Sequence, residues 1–308
     1  MTYSASSLIQ ATDYNTLATN GTNVGDHWGT GTSSAGLGQS TSAIAAVAAT
    51  SAVTAAQWTG LIQTINSCLS HEGQTAITPT SVTAGNAITY YAAITTGSAA
   101  AYTNRGTTGL ALTAGATNNT TYASAWGTTG SRSLVFTQSV TFSSGDAARY
   151  FFNAGGNVQL AFSRTGGSAT TRNTDWSNTC TACGTIKFGY KNTTKTGGSG
   201  STTTLLNSNN GGYWAGTGAY VVHFKQFDAD VGYTTDYIQT EYYWSGTAAN
   251  GGSPVLNLKT IWMNAYVNAF QDSVDGSATT ALVVNSPATT YLTNTWGTPV
   301  FSGSVTPV

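Results

Sequence analysis

The chain has 308 residues, a formal net charge of −1 and charged side chains at only 7% of its positions, against about 25% in an average globular protein. Its five Lys and five Arg are scattered singly, without the basic stripe that neutralises phosphates. No apolar run is long enough to cross a bilayer. These features exclude a nucleic-acid-binding protein and membrane insertion.

Gly, Ser, Thr, Ala and Asn take the positions that charges usually occupy. A surface of this kind has little charge repulsion to oppose self-association, which favours a subunit packed against copies of itself. The alternative is a low-charge secreted β protein. The N-terminal MTYSASSLIQ lacks the basic start and long apolar core of a signal peptide, so we expect assembly in a cytoplasm. Three cysteines argue against a disulfide framework.

Two nine-residue segments follow one pattern: IQATDYNTL at 9–17 and VTAAQWTGL at 53–61. The second predicts a helix over 55–71, with Thr54 and Gln57 as a capping box and Gly73 as the stop. An apolar stripe follows at helical spacing: Trp58, Leu61, Ile62, Ile65 and Leu69. The first segment predicts a short helix that depends on tertiary packing. We expect the two helices to pack as a pair, within the chain or between subunits.

Residues 29–52 are rich in Gly, Ser and Ala and predict an extended connector. After residue 79, short runs of Thr, Val, Tyr, Phe and Trp between Gly and Asn clusters predict many β-strands. Helical periodicity is nearly absent beyond residue 73. The predicted strands are 131–142, 149–153, 157–164, 185–191, 219–227, 235–244, 256–267 and 280–285.

The predicted fold is therefore mainly β. It has a short N-terminal region of two α-helices (residues 1–78), which serves assembly or attachment. An antiparallel, β-sandwich-like region of one or two sheets follows (residues 79–308). A sheet protein this poor in charge needs its edges covered, and neighbouring subunits would cover them.

A zinc site is the first chemical hypothesis. Cys180-x-x-Cys183 supplies half of one, and Cys68 with His71 shares a helix face that could supply the other half. The alternative is that Cys68 packs beside the apolar stripe as a small hydrophobe. The ligand pairs lie more than a hundred residues apart in the sequence, so the sequence leaves the question open and we assign no metal.

Asp228 and Asp230 flank a turn and could bind calcium or act as a glycosidase pair. Aspartates at turns are more often solvated turn formers. The three histidines, His27, His71 and His223, accompany no nucleophile elbow or metalloprotease helix. No phosphate loop or dinucleotide fingerprint occurs. The sequence therefore predicts no catalytic residues, no cofactor and no enzyme.

Aromatic side chains on a neutral, Asn-rich surface can stack on sugar rings, although core packing is the more common fate of Trp. The candidates for such a glycan-binding role are Trp176, Trp214, Trp244 and Trp262. They support the alternative function of an adhesin for host polysaccharide.

Three separated blocks resemble a family of bacteriophage virion structural proteins, common in cyanophages and other marine tailed phages. The first block combines the paired helices with Gly36-Leu37-Gly38-Gln39 and His71. The second is SSGDAARYFFNAGGNVQLAFSRTGG at 143–167, and the third is TTYLTNTWGTPVFSG at 289–303. Cys180-x-x-Cys183 is not part of that pattern, and the family offers no catalytic motif to transfer.

The resemblance implies a structural component of the tail, baseplate or fibre, present in the virion in several copies. Its expected partners are copies of itself, as a trimer or hexamer, and other virion proteins. A head or neck decoration protein is a further alternative. A depolymerase that uses Asp228 and Asp230 is the enzymatic alternative.

Overall fold

The computed structural model describes residues 10–19, 21–78, 80–83, 90–128, 132–198, 204–206, 212–214, 216, 218–245, 254–266 and 273–308. The chain forms two compact units, each assembled from separate stretches of sequence. The first comprises residues 1–113, 149–155 and 287–297, and the second comprises residues 114–148, 156–286 and 298–308. Pro79, beside the predicted domain boundary, lies outside the described residues, as do Ile9, Asn20 and residue 267, and that boundary stays a prediction.

The first unit is helical. Its helices are α1 (Ala11–Thr19), α2 (Val24–Trp28), a short 3₁₀ helix (Ser42–Ile44), α3 (Ala55–His71) and α4 (Tyr91–Thr103). Helix α5 (Gly145–Asn153) contributes its residues from Arg149 onward. Within the described part of the chain, none of the helices combines the length and apolarity that a membrane span requires.

Helix α3 confirms the predicted bounds and both of its end signals. The Thr54 hydroxyl accepts the Gln57 N–H, and the Gln57 side chain accepts the Thr54 N–H at 2.8 Å, which completes a capping box. At the other end Gly73 has a φ of +75°. The N–H groups of Gly73 and Gln74 bond back to Ser70 and Leu69, in the pattern of a Schellman motif. The whole predicted apolar stripe is buried.

Helix α1 is the short helix that the first nine-residue segment predicts. The N–H of Gln10 donates to the Asp13 carboxylate at 2.9 Å, so Asp13 supports a start that lacks a good cap residue. Tyr14 and Trp58, the matched aromatic positions of the two segments, pack edge to face with ring centroids 5.4 Å apart. The repeated pattern therefore marks two helices that meet through their aromatic residues within one chain.

The prediction of almost no helix beyond residue 73 is wrong, since α4, α5 and α6 (Thr171–Cys183) all lie there. Residues 149–153 form the end of α5 and not the predicted strand. Ser144 caps that helix by accepting the Ala147 N–H at 3.0 Å, and Gly155, at φ +83°, follows its end. The β-propensity of Tyr150, Phe151 and Phe152 is overridden because the helix buries all three rings.

Helices α4 and α6 have amino-acid compositions that do not predict a helix. Small residues dominate α4, and they allow a close approach: a Cβ on Gly97 would lie 2.8 Å from the Ile77 side chain and 3.1 Å from Ile65 on α3. Helix α6 is rich in Thr, Ser and Asn, which have weak helix propensity. Several of its hydroxyls bond the carbonyl four residues back, as Thr179 does to Asp175 at 3.0 Å.

The second unit contains two antiparallel six-stranded sheets. The strands are β1 (Thr113–Ala114), β2 (Asn118–Tyr122), β3 (Ser133–Thr141), β4 (Asn157–Thr165), β5 (Thr185–Phe188), β6 (Thr193–Thr196), β7 (Thr204–Leu206), β8 (Val221–Phe227), β9 (Tyr237–Trp244), β10 (Val255–Met263), β11 (Ser277–Ser286) and β12 (Val300–Pro307). Sheet 1 has the order β1-β11-β4-β5-β6, with β2 also on β11, and sheet 2 has the order β12-β3-β10-β9-β8-β7.

The two sheets face each other as a sandwich. Phe162 of sheet 1 stacks on Phe224 of sheet 2 with centroids 6.4 Å apart. The amide of Gln138 on β3 donates to the Thr280 carbonyl on β11 at 3.2 Å. The mainly β fold with N-terminal helices is therefore confirmed, together with seven of the eight predicted strands, although β5 stops at Phe188. The sequence missed β1, β2, β6, β7 and β12.

The capping box generates a stability prediction. We expect Thr54→Ala to lower the free energy of unfolding by about 1 kcal/mol, because α3 then loses the acceptor for its Gln57 N–H. Ser51→Ala is the matched control, since Ser51 is exposed and precedes the helix. Urea denaturation followed by circular dichroism measures both variants. Equal stability of the two would contradict a capping role for Thr54.

Candidate functional site

Residues 29–39 of the first unit form a compact loop, which we name the glycine loop. Its backbone visits the left-handed region at Gly31, Ser33, Gly36 and Gly38, a conformation that favours glycine. The N–H groups of Leu37 and Gly38 both bond the Gly29 carbonyl, at 3.0 and 2.7 Å. Residues 29–39 of the predicted extended connector (29–52) are thus a closed loop, with Ala35 and Leu37 fully buried, and a 3₁₀ helix follows at Ser42–Ile44.

Two side chains of α5 hold the carbonyl groups of the glycine loop. Arg149 and Asn153 are 6% and 1% exposed, and together they donate four hydrogen bonds. The bonds run from Arg149 to Thr30 O (2.7 Å) and Ser33 O (3.2 Å), and from Asn153 Nδ2 to Ser34 O (2.9 Å) and Gly36 O (2.7 Å). Buried carbonyl groups are costly without such donors, so the loop depends on α5 for its conformation.

The other end of the glycine loop is held by residues 293–295. The Gln39 side chain accepts the Thr293 N–H and donates to the Thr293 carbonyl, both at 2.9 Å, as a neighbouring strand would. The Thr295 hydroxyl donates to the Leu37 carbonyl at 2.6 Å. Gly38 must be glycine here, because a Cβ on it would lie 2.4 Å from the Tyr150 ring.

Parts of all three blocks of the resemblance therefore meet within the first unit. The α5 segment and residues 293–295 each bond the glycine loop directly. His71 joins them, with its Nε2 2.9 Å from the Ala154 carbonyl and its own carbonyl accepting the Gly109 N–H at 2.9 Å. Most of these bonds join a side chain of one segment to the backbone of another, and they fix the positions of the segments.

A buried pair of titratable groups lies beside this region. His27 Nε2 is 3.1 Å from Glu72 Oε1, and the two residues are 1% and 5% exposed. Burial raises the pKa of Glu72 to about 9. Burial, with Arg105 and His71 contributing, lowers the pKa of His27 to about 3. With these pKa values both groups are neutral at pH 7, because burial disfavours the charged form of each.

The second unit has its own buried ionic cluster, centred on Arg172. Its guanidinium pairs with Asp236, lies 3.7 Å from Asp228 and donates to the Asn264 side chain at 2.7 Å. It also lies 4.1 Å from the centroid of the Tyr233 ring. All of the charged groups in this cluster are buried, and such a pair is strongly destabilised when one partner is removed.

Asp228 and Asp230 make the contacts of turn residues. Asp228 Oδ1 accepts the Asp230 N–H, and Asp230 Oδ1 accepts the Gly232 N–H, both at 3.0 Å, as in Asx turns. Nearby Asp175 is 5% exposed. Burial first, and the carboxylates of Asp228 and Asp230 second, raise the pKa of Asp175 to about 6.

The cysteines supply no metal centre in the described part of the chain. Cys68, Cys180 and Cys183 are free and buried. Cys68 and His71 belong to the first unit, whereas Cys180 and Cys183 belong to the second. Across the described ranges, no group of three or more His, Cys, Asp or Glu side chains is arranged to hold a metal ion. Burial raises the pKa of all three thiols, which leaves them inert.

The hypothesis of exposed tryptophans is wrong for three of its four members. Trp176, Trp244 and Trp262 are fully buried, because the sandwich core takes the largest rings available. Trp176 stacks on Trp262 with centroids 5.7 Å apart. Trp214 is partly exposed, and its backbone N–H donates to the Tyr190 carbonyl at 2.7 Å.

No protein-family model, curated protein or solved structure matches this chain.

Four residues that organise the two units were not predicted from the sequence: Arg149, Asn153 and Glu72 in the first unit, and Arg172 in the second. A signal for them existed. In a chain with only ten basic and eleven acidic residues, a charge placed inside a helix that also carries large apolar rings is expected to be buried and paired.

The glycine loop generates a second stability prediction. We expect Asn153→Ala to lower the free energy of unfolding by about 2–4 kcal/mol, because two buried loop carbonyls lose their donor. The control is Asn104→Ala, which removes a part-buried bond from Asn104 to Ala100 within one helix end and is expected to cost about 1 kcal/mol. Urea denaturation provides the measurement, and an equal loss in both variants would contradict the role of Asn153.

The buried acid generates a pH prediction. The pKa of Glu72 is raised from 4.5 to about 9 in the folded chain, so the folded state binds more protons and its stability falls as pH rises between these values. We expect Glu72→Gln to have the same free energy of unfolding as the wild type near pH 4. Above pH 4, we expect the free energy of unfolding of the variant to exceed that of the wild type by a margin that grows by up to about 1.4 kcal/mol per pH unit.

Glu241→Gln is the matched control for this experiment, because Glu241 is the other glutamate of the chain and, although largely buried, it pairs with the ammonium of Lys259. Urea unfolding from pH 4 to pH 9 on the three proteins measures the difference. If the difference in free energy of unfolding between wild type and Glu72→Gln does not grow with pH, a neutral buried Glu72 is contradicted.

Proposed function

We propose that this chain is a non-enzymatic structural subunit of a tailed-phage virion, in the tail, baseplate or fibre, that acts by assembling with copies of itself. The observation that carries the proposal is the convergence at the glycine loop. The motif residues of all three blocks make internal hydrogen bonds, so the resemblance rests on residues that build the fold and not on a reaction site.

The surface of the β unit supports the same proposal. The outward side chains of β2, β4 and β11 in sheet 1 carry no charge, and Lys187 of β5 borders them opposite Gln159. Thr121 and Thr279 hydrogen-bond across the strands of this face at 2.9 Å. This face consists of Asn119, Thr121, Gln159, Ala161, Ser163, Thr279, Ala281 and Val283. Charged residues are depleted at the centres of protein interfaces, so a face of this composition suits contact with another protein.

An adhesin for host polysaccharide is the alternative that one observation favours. On the outward face of sheet 2, Tyr220 is 37% exposed and packs edge to face on Tyr243 at 4.5 Å. The ammonium of Lys259 lies 4.5 Å from the Tyr220 centroid. Exposed tyrosines beside polar groups can stack on sugar rings. A decoration protein of the head or neck would need the same self-assembly as the leading proposal.

The assembly proposal is tested by sedimentation velocity together with mass spectrometry of purified virions. We expect the 31.6 kDa chain to sediment as a multiple of its own mass, with a trimer or hexamer as the expected state, and its peptides to occur in the particles. A chain that stays monomeric at high concentration and is absent from particles would contradict the proposal. A glycan array, with Tyr220→Ala as the matched variant, tests the adhesin alternative.

A further inference from the structure

Among the strands that the structure describes, β12 lies at the end of sheet 2 and pairs with β3 alone. The pairing is regular over the whole strand, from Val300 opposite Thr141 to Pro307 opposite Leu134. Val308 and Ser133 exchange both of their backbone bonds, each at 2.8 Å. Because such pairs alternate along an antiparallel ladder, the even-numbered residues of β12 bond β3. The odd-numbered residues direct their N–H and C=O groups away from the sheet.

The outer edge of β12 therefore presents three N–H groups, from Phe301, Gly303 and Val305. Within the described ranges no hydrogen bond is made by these three N–H groups. Pro299 and Pro307, also odd-numbered, have no N–H to offer and bound the set at both ends. An unpaired edge of this kind is a template for another strand.

This edge has little of the usual protection against pairing. Soluble sheet proteins block their edges with lysine and other charged side chains, proline, bulges or short strands, and here the two prolines lie only at the ends of the strand. Residues 299–308 contain no charged side chain, and β12 is eight residues long with no register shift. The edge is also exposed, with Val300 at 67%. Its composition and length are those of a strand that has a partner.

The sequence of the edge is nearly the same in both directions. Residues 299–307 read PVFSGSVTP, and Gly303 is at the centre. About that centre Pro299 matches Pro307 and Ser302 matches Ser304. Val300 matches Thr306, which is also β-branched, and Phe301 matches Val305, which is also apolar. A strand that pairs antiparallel with its own copy places these matched residues opposite each other.

We propose that β12 pairs with β12 of a second copy of this chain, antiparallel, about a two-fold axis beside Gly303. Sheet 2 of one copy and sheet 2 of the other then form one continuous sheet across the axis. Each copy donates its three outward N–H groups, from Phe301, Gly303 and Val305, and the two prolines of one copy face those of the other. This proposal rests on the proposed function and deepens it, by naming the contact through which copies assemble.

The register follows from the same constraints. A shift by one residue turns the apolar and polar faces over, which sets Phe301 against serine. A shift by two places Phe301 opposite Pro307 and Gly303 opposite Val305, so the pair of Phe301 with Val305 is lost. In the register centred on Gly303, Phe301 faces Val305 of the other copy, an aromatic and β-branched pair of the favourable kind. A two-fold contact closes a dimer, and combined with a three-fold axis it builds a hexamer.

Cysteine cross-linking tests both the partner and the register. In the proposed pairing Ser302 faces Ser304 of the other copy as a non-hydrogen-bonded pair, with Cα atoms roughly 4.5 Å apart, within reach of a disulfide. Two Ser302 residues, or two Ser304 residues, lie on the diagonal at roughly 7–8 Å. We expect a mixture of Ser302→Cys and Ser304→Cys to form a covalent dimer under oxidation, and neither variant alone to do so.

A charge variant supplies an independent readout without oxidation. We expect Ser304→Lys to weaken self-association about tenfold, because it puts an ammonium beside the axis on each copy. Ser51→Lys is the matched control, since Ser51 is an exposed serine outside both sheets, and it should leave self-association unchanged. Sedimentation equilibrium on the full chain measures all three proteins.

The possible outcomes separate this proposal from the proposed function. An oligomeric wild type whose mixture gives no cross-link, or whose association is unaffected by Ser304→Lys, overturns the β12 contact and leaves assembly standing. Cross-linking of a single variant reveals a different register and overturns the register centred on Gly303. A cross-link to another virion protein in place of a second copy assigns the edge to that protein and overturns self-pairing. A wild type that remains monomeric overturns the contact as well.

Discussion

The first unit depends on the hydrogen bonds that hold the carbonyl groups of the glycine loop. A loop with four left-handed residues cannot satisfy its backbone through regular structure, and the hydrogen bonds to the carbonyls of Ser34 and Gly36 are buried. Arg149 and Asn153 supply four donors from one helix, and Gln39 bonds both backbone groups of Thr293. Segments more than a hundred residues apart in sequence thereby share one set of bonds.

The same scarcity of charge governs both units. This chain has few charged side chains, and it keeps several of them inside: Arg149 and Glu72 in the first unit, Arg172 with Asp228 and Asp236 in the second. Each buried charge either pairs, donates to carbonyls or takes up a proton, as burial requires. What remains outside is largely Thr, Ser, Asn, Gly and Ala. Such a distribution suits a protein whose surface contacts other protein surfaces.

Local signals identified those elements whose sequence and environment agree. Helix α3 has a cap, an apolar stripe and a glycine stop, so its bounds follow from the sequence. The long strands alternate apolar and polar residues because one face of each sheet is buried. Helices α4 and α6 lack a stripe, and α5 carries rings of high β-propensity. Their helical state follows from packing against neighbours, which a local pattern does not record.

By itself the sequence determined that this is a mainly β chain with N-terminal helices, that its cysteines need not form disulfides, and which three blocks carry the resemblance. Only the tertiary structure decided that those blocks meet at one loop, that Trp176, Trp244 and Trp262 are buried, and that β12 has a free edge. The physical reason is that hydrogen bonds and burial between distant segments depend on the path of the whole chain, whereas propensity and periodicity report only on neighbours along it.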